Sequence, residues 1–225
     1  MGFLKQVWTI CAKDLRLEWR TLDSLPAMFF FALLVLVIFN FTLDFTRTPF
    51  QELGPGVLWV TFTFSGILAL SHSFTLEREE DCIQGLILSP AEPGAIYIGK
   101  TMSNMAMILV MQAILVPLSA VLFNFSLAGK IPSMILVLVV HTLGFAGVGT
   151  LLGAITARTR RGEVLLPIIL FAVCVPIIIS AVKTTAMVMA GRPLTESRDW
   201  LTIAGAFDLI LVGASFLTFE FVIEE

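Results

Sequence analysis

The sequence predicts an all-α membrane protein: six transmembrane helices, an N-terminal amphipathic helix and no separate soluble domain. Three observations carry this. Only 14% of the 225 residues are charged, against about 25% in an average soluble domain, and the mean hydropathy is +0.95. The charges are clumped, leaving long apolar runs of the kind that cross a bilayer core with about 20 residues. Lys and Arg are also unevenly shared between the two sets of loops those runs create. The net charge of −3 offers no basic footprint for nucleic acid. All of 1–225 reads as one transmembrane domain.

The elements follow in order. Residues 3–22 carry Leu4, Trp8, Cys11, Leu15, Trp19 and Leu22 at spacings of three and four, a single helical stripe. Lys5, Lys13, Asp14, Arg16, Glu18 and Arg20 occupy the other faces, so 1–24 is expected to lie in the membrane interface as a cytoplasmic helix. Spans are expected near 25–43, 57–76, 101–123, 131–155, 164–182 and 201–219. Nine of the 14 Lys and Arg then fall on the side of the N-terminus, among them Arg158, Arg160 and Arg161 in one short loop. Both termini are therefore expected in the cytoplasm. Cys11, Cys82 and Cys174 form no CxxC pair, so neither a redox dithiol nor covalent haem attachment is indicated.

The longest cytoplasmic loop, 77–100, is expected to couple to a partner. Its charged run, Glu77, Arg78, Glu79, Glu80 and Asp81, suits a helix start, where acids are favoured by the backbone dipole. Gly85 and the apolar Leu86 follow, and Pro90 and Pro93 are expected to break the segment. A solvated loop whose acids merely stay out of lipid is the alternative.

Residues 94–101, GAIYIGKT, match G-x-x-x-x-G-K-[ST] letter for letter. A phosphate-binding loop needs a preceding buried strand and pliable intervening residues. Here a Pro-rich turn precedes, and Ala95, Ile96, Tyr97 and Ile98 are bulky. Lys100 reads instead as a snorkelling anchor and Tyr97 as its interfacial aromatic. In span 4, Gly144, Gly147, Gly149 and Gly153 suggest a smooth face for helix packing or a substrate path. Pro167 and Pro176 in span 5 are candidate hinges. Asp208 is expected about 10 Å into span 6 at 1.5 Å per residue, functional or in a wet outer vestibule. His72 and His141 are candidate haem ligands, but their depths differ by roughly 15 Å, so one copy cannot hold one iron through both. No pattern for intrinsic enzymatic chemistry or a resident metal appears in the sequence.

Residues 54–100, GPGVLWVTFTFSGILALSHSFTLEREEDCIQGLILSPAEPGAIYIGK, and 143–182, LGFAGVGTLLGAITARTRRGEVLLPIILFAVCVPIIISAV, carry a more specific signal. With them the chain resembles, over its whole length, the CcmB family (haem exporter protein B), permease subunits of the cytochrome c maturation ABC complex. The resemblance implies the six-span fold of ABC-2-type exporter permeases, with residues 3–22 as the elbow helix and about 77–89 as a coupling helix. It implies a non-catalytic subunit whose ATP hydrolysis lies in a partner ATPase, CcmA. It further implies a homodimer of permeases, the partners CcmC and CcmD, the haem chaperone CcmE as an indirect partner, and a bacterial inner membrane. Haem would be a transported substrate rather than a bound cofactor. Three functions compete: haem transport, mechanical release of the haem-loaded chaperone, and generic ABC-2 export of lipid, glycan or drug.

Overall fold

A computed structural model describes residues 2–21, 24–43, 50–79, 91–157, 159 and 162–224; the side chains of 51, 74–79, 163, 223 and 224 lie outside that description. The described residues form seven α-helices. These are α1 (Phe3–Thr21), α2 (Ser24–Thr42), α3 (Phe50–Glu79), α4 (Pro93–Leu122), α5 (Ile131–Ala157), α6 (Gly162–Met189) and α7 (Arg198–Glu224), with a 3-10 turn at Leu194–Ser197 before α7. Helices α2 to α7 are each long and apolar enough to cross a membrane. The chain is an all-α, multi-pass membrane protein.

The helices outrun the expected spans because the punctuating residues sit where a helix tolerates them. Pro93 occupies the first turn of α4, where a missing N–H costs nothing. The loop expected at 77–100 therefore ends at Glu92, and 77–79 belong to the end of α3. Gly54-Pro55-Gly56 likewise lies inside α3, near its start. The Phe50 ring packs on Gly54 and stacks on Phe123 and Phe125, with centroids 4.4 and 4.7 Å away. Pro167 and Pro176 are absorbed within an uninterrupted α6.

The central helix is α5, packed against α3, α4, α6 and α7, whereas α2 and α7 are mostly exposed, as lipid-facing helices are. Lipid is as apolar as the core, so side-chain hydrogen bonds between helices supply part of the specificity. Trp59 Nε1 donates to Thr185 Oγ1 at 2.8 Å, joining α3 to α6. Asn104 Nδ2 donates to Thr150 Oγ1 at 3.0 Å, and Thr142 Oγ1 to Gln112 Oε1 at 3.1 Å, joining α4 to α5.

The junction of α1 and α2 depends on a group that the sequence pattern did not single out for this role. The buried Glu18 carboxylate accepts from Ser24 N at 3.0 Å, Ser24 Oγ at 2.6 Å and Leu25 N at 3.1 Å. It caps the first turn of α2, where backbone N–H groups have no helical partner. No sequence motif spaces a capping acid six residues ahead in a different helix.

Candidate functional site

The site is built where α1 lies across the start of α4. The expected stripe is split: Cys11 turns to the protein, whereas Leu4, Trp8 and Trp19 do not. Those three side chains stay exposed, while Val7, Ile10, Cys11 and Glu18 are buried. The helix thus has two apolar sides, one for protein and one available to the membrane interface. Close approach of α1 to α4 requires Gly99, where a Cβ would stand 2.9 Å from Ile10 Cβ and 3.0 Å from the Val7 carbonyl oxygen.

Polar contacts flank this approach. Lys100 Nζ lies 3.5 Å from Asp14 Oδ2, and Ser103 Oγ donates to the same oxygen at 3.4 Å. Lys13 Nζ lies 2.9 Å from Asp14 Oδ1. Gln6 Oε1 accepts from the backbone N–H of Glu92, the residue preceding α4. The readings of Lys100 as a snorkelling anchor and Tyr97 as an interfacial aromatic are therefore corrected. Lys100 is buried and ion-paired, because Asp14 reaches it from α1. Tyr97 is fully buried, donates to the Gly147 carbonyl at 3.1 Å, and packs on Phe219 with centroids 5.2 Å apart. GAIYIGKT forms the first turns of α4. Its glycines are spacers: Gly99 admits α1, and Gly94 faces Phe216 of α7, 2.7 Å from the position of an added Cβ.

The expected coupling run lies largely outside the described residues. Glu77, Arg78 and Glu79 are the last residues of α3, with side chains beyond the described set; Glu80, Asp81, Gly85 and Leu86 lie outside the described residues.

Deeper in the bilayer, the four glycines of α5 do not share one face. Gly144 meets Asp208 and Ile177, and Gly147 meets Val212 and the Tyr97 hydroxyl, whereas Gly149 meets Leu70 of α3. Residues two apart on a helix point in nearly opposite directions, so Gly147 and Gly149 serve different neighbours. Gly153 is buried. Asp208 lies further along its helix than the roughly 10 Å expected. Helix α7 begins at Arg198, so Asp208 sits about 15 Å along it at 1.5 Å per residue, near mid-span. It is 6% exposed, and its Oδ1 packs on Gly144 without a hydrogen-bond partner.

The histidines differ in availability. His141 is fully buried, with Nδ1 2.7 Å from the Val137 carbonyl and Nε2 3.1 Å from Ser180 Oγ, and its ring packs edge-on to Trp59 at 5.5 Å. Both nitrogens are thus engaged by protein atoms. His72 is half-buried, and its Nδ1 has no partner among the described residues.

The family model described as "CcmB protein" matches residues 5–222. This chain belongs to the CcmB family. Similar relatives agree along their length. Heme exporter protein B of Escherichia coli K12 is 29% identical over 212 residues, covering 94% of this chain and 93% of the relative. The protein of that name from Pseudomonas aeruginosa is 23% identical over 202 residues, covering 90% of each. That from Paracoccus denitrificans is 25% identical over 185 residues, covering 81% of this chain and 84% of the relative. The CcmB match takes in α1 together with all six spans, so the α1–α4 junction lies within the family's own extent.

Proposed function

We propose that this chain is the membrane permease subunit of an ATP-driven haem-export system for cytochrome c biogenesis. It sits in a bacterial inner membrane with both termini cytoplasmic. ATP is hydrolysed by a partner ATPase of the CcmA type, with CcmC and CcmD as further partners, the chaperone CcmE downstream, and two permease copies in the complex. The observation that carries this is the family match along nearly the whole chain, together with relatives named as heme exporters. The 77–92 stretch would receive the ATPase stroke. The bond from Glu92 N–H to Gln6 on α1 and the Lys100–Asp14 pair would pass it to α1 and α4 as one body.

One observation favours a second reading, in which no haem crosses this subunit and the stroke releases the haem-loaded chaperone. Both ring nitrogens of His141, the deeper histidine, are already engaged by Val137 and Ser180.

Haem flux into sealed vesicles holding the purified permease–ATPase pair, with and without ATP, tests the two. ATP-dependent accumulation establishes export. Intact hydrolysis without flux establishes the release reading. Accumulation of a lipid or drug but not haem would return the generic ABC-2 exporter.

A further inference from the structure

Helix α1 has a third side, beyond those turned to the bundle and to the membrane interface. At about 100° per residue, Val7, Cys11 and Glu18 share the side that faces the bundle. Leu4, Trp8 and Trp19 lie roughly 90° round the helix from them, and Lys5, Arg16 and Arg20 roughly 90° further on, all six exposed. The cations therefore point away from the bundle. With Trp8 and Trp19 seated toward the acyl layer, they run along the plane of the lipid headgroups. The chain itself fixes this depth. Arg20 stands four residues before Ser24, where the first span begins, and Glu18 pins that junction through Ser24 and Leu25. An open concavity of about 600 Å³ borders Trp8, Lys13, Arg16 and Arg20.

Neither acid of α1 neutralises this flank. Asp14 is engaged by Lys100 and Lys13, and Glu18 is buried against the start of α2. Among the described residues Arg16 and Arg20 have no carboxylate partner, although they stand one turn apart, a spacing at which like charges destabilise a helix. A phosphate between two arginines removes that repulsion, and guanidinium groups hold phosphate through paired N–H donors. We propose that the Arg16–Arg20 flank of α1, with Lys5 on the same side, binds the phosphate of an anionic phospholipid of the phosphatidylglycerol type. A zwitterionic lipid carries the same phosphate but adds a cationic amine group, so the net attraction selects the anionic class. Such a site is independent of whether haem crosses the subunit.

The test places the full chain in phosphatidylcholine liposomes carrying diazirine-bearing phosphatidylglycerol or, in a matched set, diazirine-bearing phosphatidylcholine. Mass spectrometry maps the light-dependent adducts. The α1 peptide should be labelled at least about fivefold more by the anionic probe, against a ratio near one on α2. Arg16→Gln with Arg20→Gln should bring the α1 ratio below about twofold, whereas Arg16→Lys with Arg20→Lys keeps most of it because the charge survives. Arg192→Gln, which removes an exposed cation between α6 and α7, should leave the ratio unchanged. Equal labelling by the two probes, or an unchanged ratio in the Arg16→Gln, Arg20→Gln chain, would overturn the proposal. So would loss of the adduct on adding soluble glycerol phosphate or a CcmA-type ATPase, which would give the flank to a free phosphate or to a protein. If the double Gln variant fails to fold, salt decides on the unaltered chain. The ratio should fall at least about threefold between about 50 and 500 mM NaCl, and a salt-independent ratio would equally overturn it.

Discussion

Asp14 of α1 and Lys100 of α4 form an ion pair at 3.5 Å, with side chains 15% and 5% exposed. The partners stand 86 positions apart in sequence, and their meeting explains why a charged residue can sit in the buried first turns of a membrane helix. A pair removed from water is costly to break, because the surviving charge keeps its desolvation penalty. In a double-mutant cycle of Asp14→Asn and Lys100→Met, the coupling free energy is expected at about 1–3 kcal/mol, read from thermal or denaturant unfolding in detergent. A coupling near zero would mean that Lys100 is held by its other contacts alone. Lys100→Met should leave nucleotide binding by the isolated chain as undetectable as before, since GAIYIGKT is packed helix.

Glu18 receives three hydrogen bonds at the start of α2. Glu18→Ala should cost about 1–2 kcal/mol of stability, the usual loss on removing a helix cap, and Glu18→Gln should cost less because one amide oxygen can still accept. Differential unfolding of the two variants checks this order.

Two glycines give opposite expectations. A Cβ at Gly144 would overlap Asp208 Oδ1 and stand 2.9 Å from Ile177 Cδ1, so Gly144→Ala should destabilise the isolated chain by about 1–3 kcal/mol. Gly205 faces open space, and Gly205→Ala should stabilise the same chain by up to about 1 kcal/mol through helix propensity. Melting temperatures of the purified variants give the sign directly.

Burial, with the Asp14 carboxylate beside it, pushes the Cys11 thiol above its ordinary value. The thiolate is the reactive form, so its population at neutral pH falls. In a Cys82→Ser, Cys174→Ser background, maleimide labelling of Cys11 should be at least about tenfold slower than in the unfolded chain, and should accelerate about tenfold per pH unit toward alkaline pH. Labelling as fast as in the unfolded chain would show that α1 lifts off α4 in the membrane.

The coupling role of the acidic run is open to a charge reversal. Glu79→Lys with Glu80→Lys should weaken association with the ATPase and lower its stimulated hydrolysis, while all six spans still insert. Normal assembly and hydrolysis in that variant would remove the docking role from these residues.

Composition and periodicity alone determined the class of this protein. Apolar stretches such as 131–157 can satisfy their backbone in lipid only as helices, which set the number of spans and the presence of an amphipathic N-terminal helix. Local punctuation was less decisive: Pro93 reads as a break, yet it lies in the first turn of α4, because a proline at a helix start forfeits few bonds. What only the tertiary structure decided is which residue meets which across the bundle. Asp14 with Lys100, Tyr97 with Gly147, and Asp208 on Gly144 join positions dozens of residues apart. Most lipid-facing and core-facing side chains of these membrane helices are apolar alike, so hydrophobic patterning carries little record of facing, and packing reveals it.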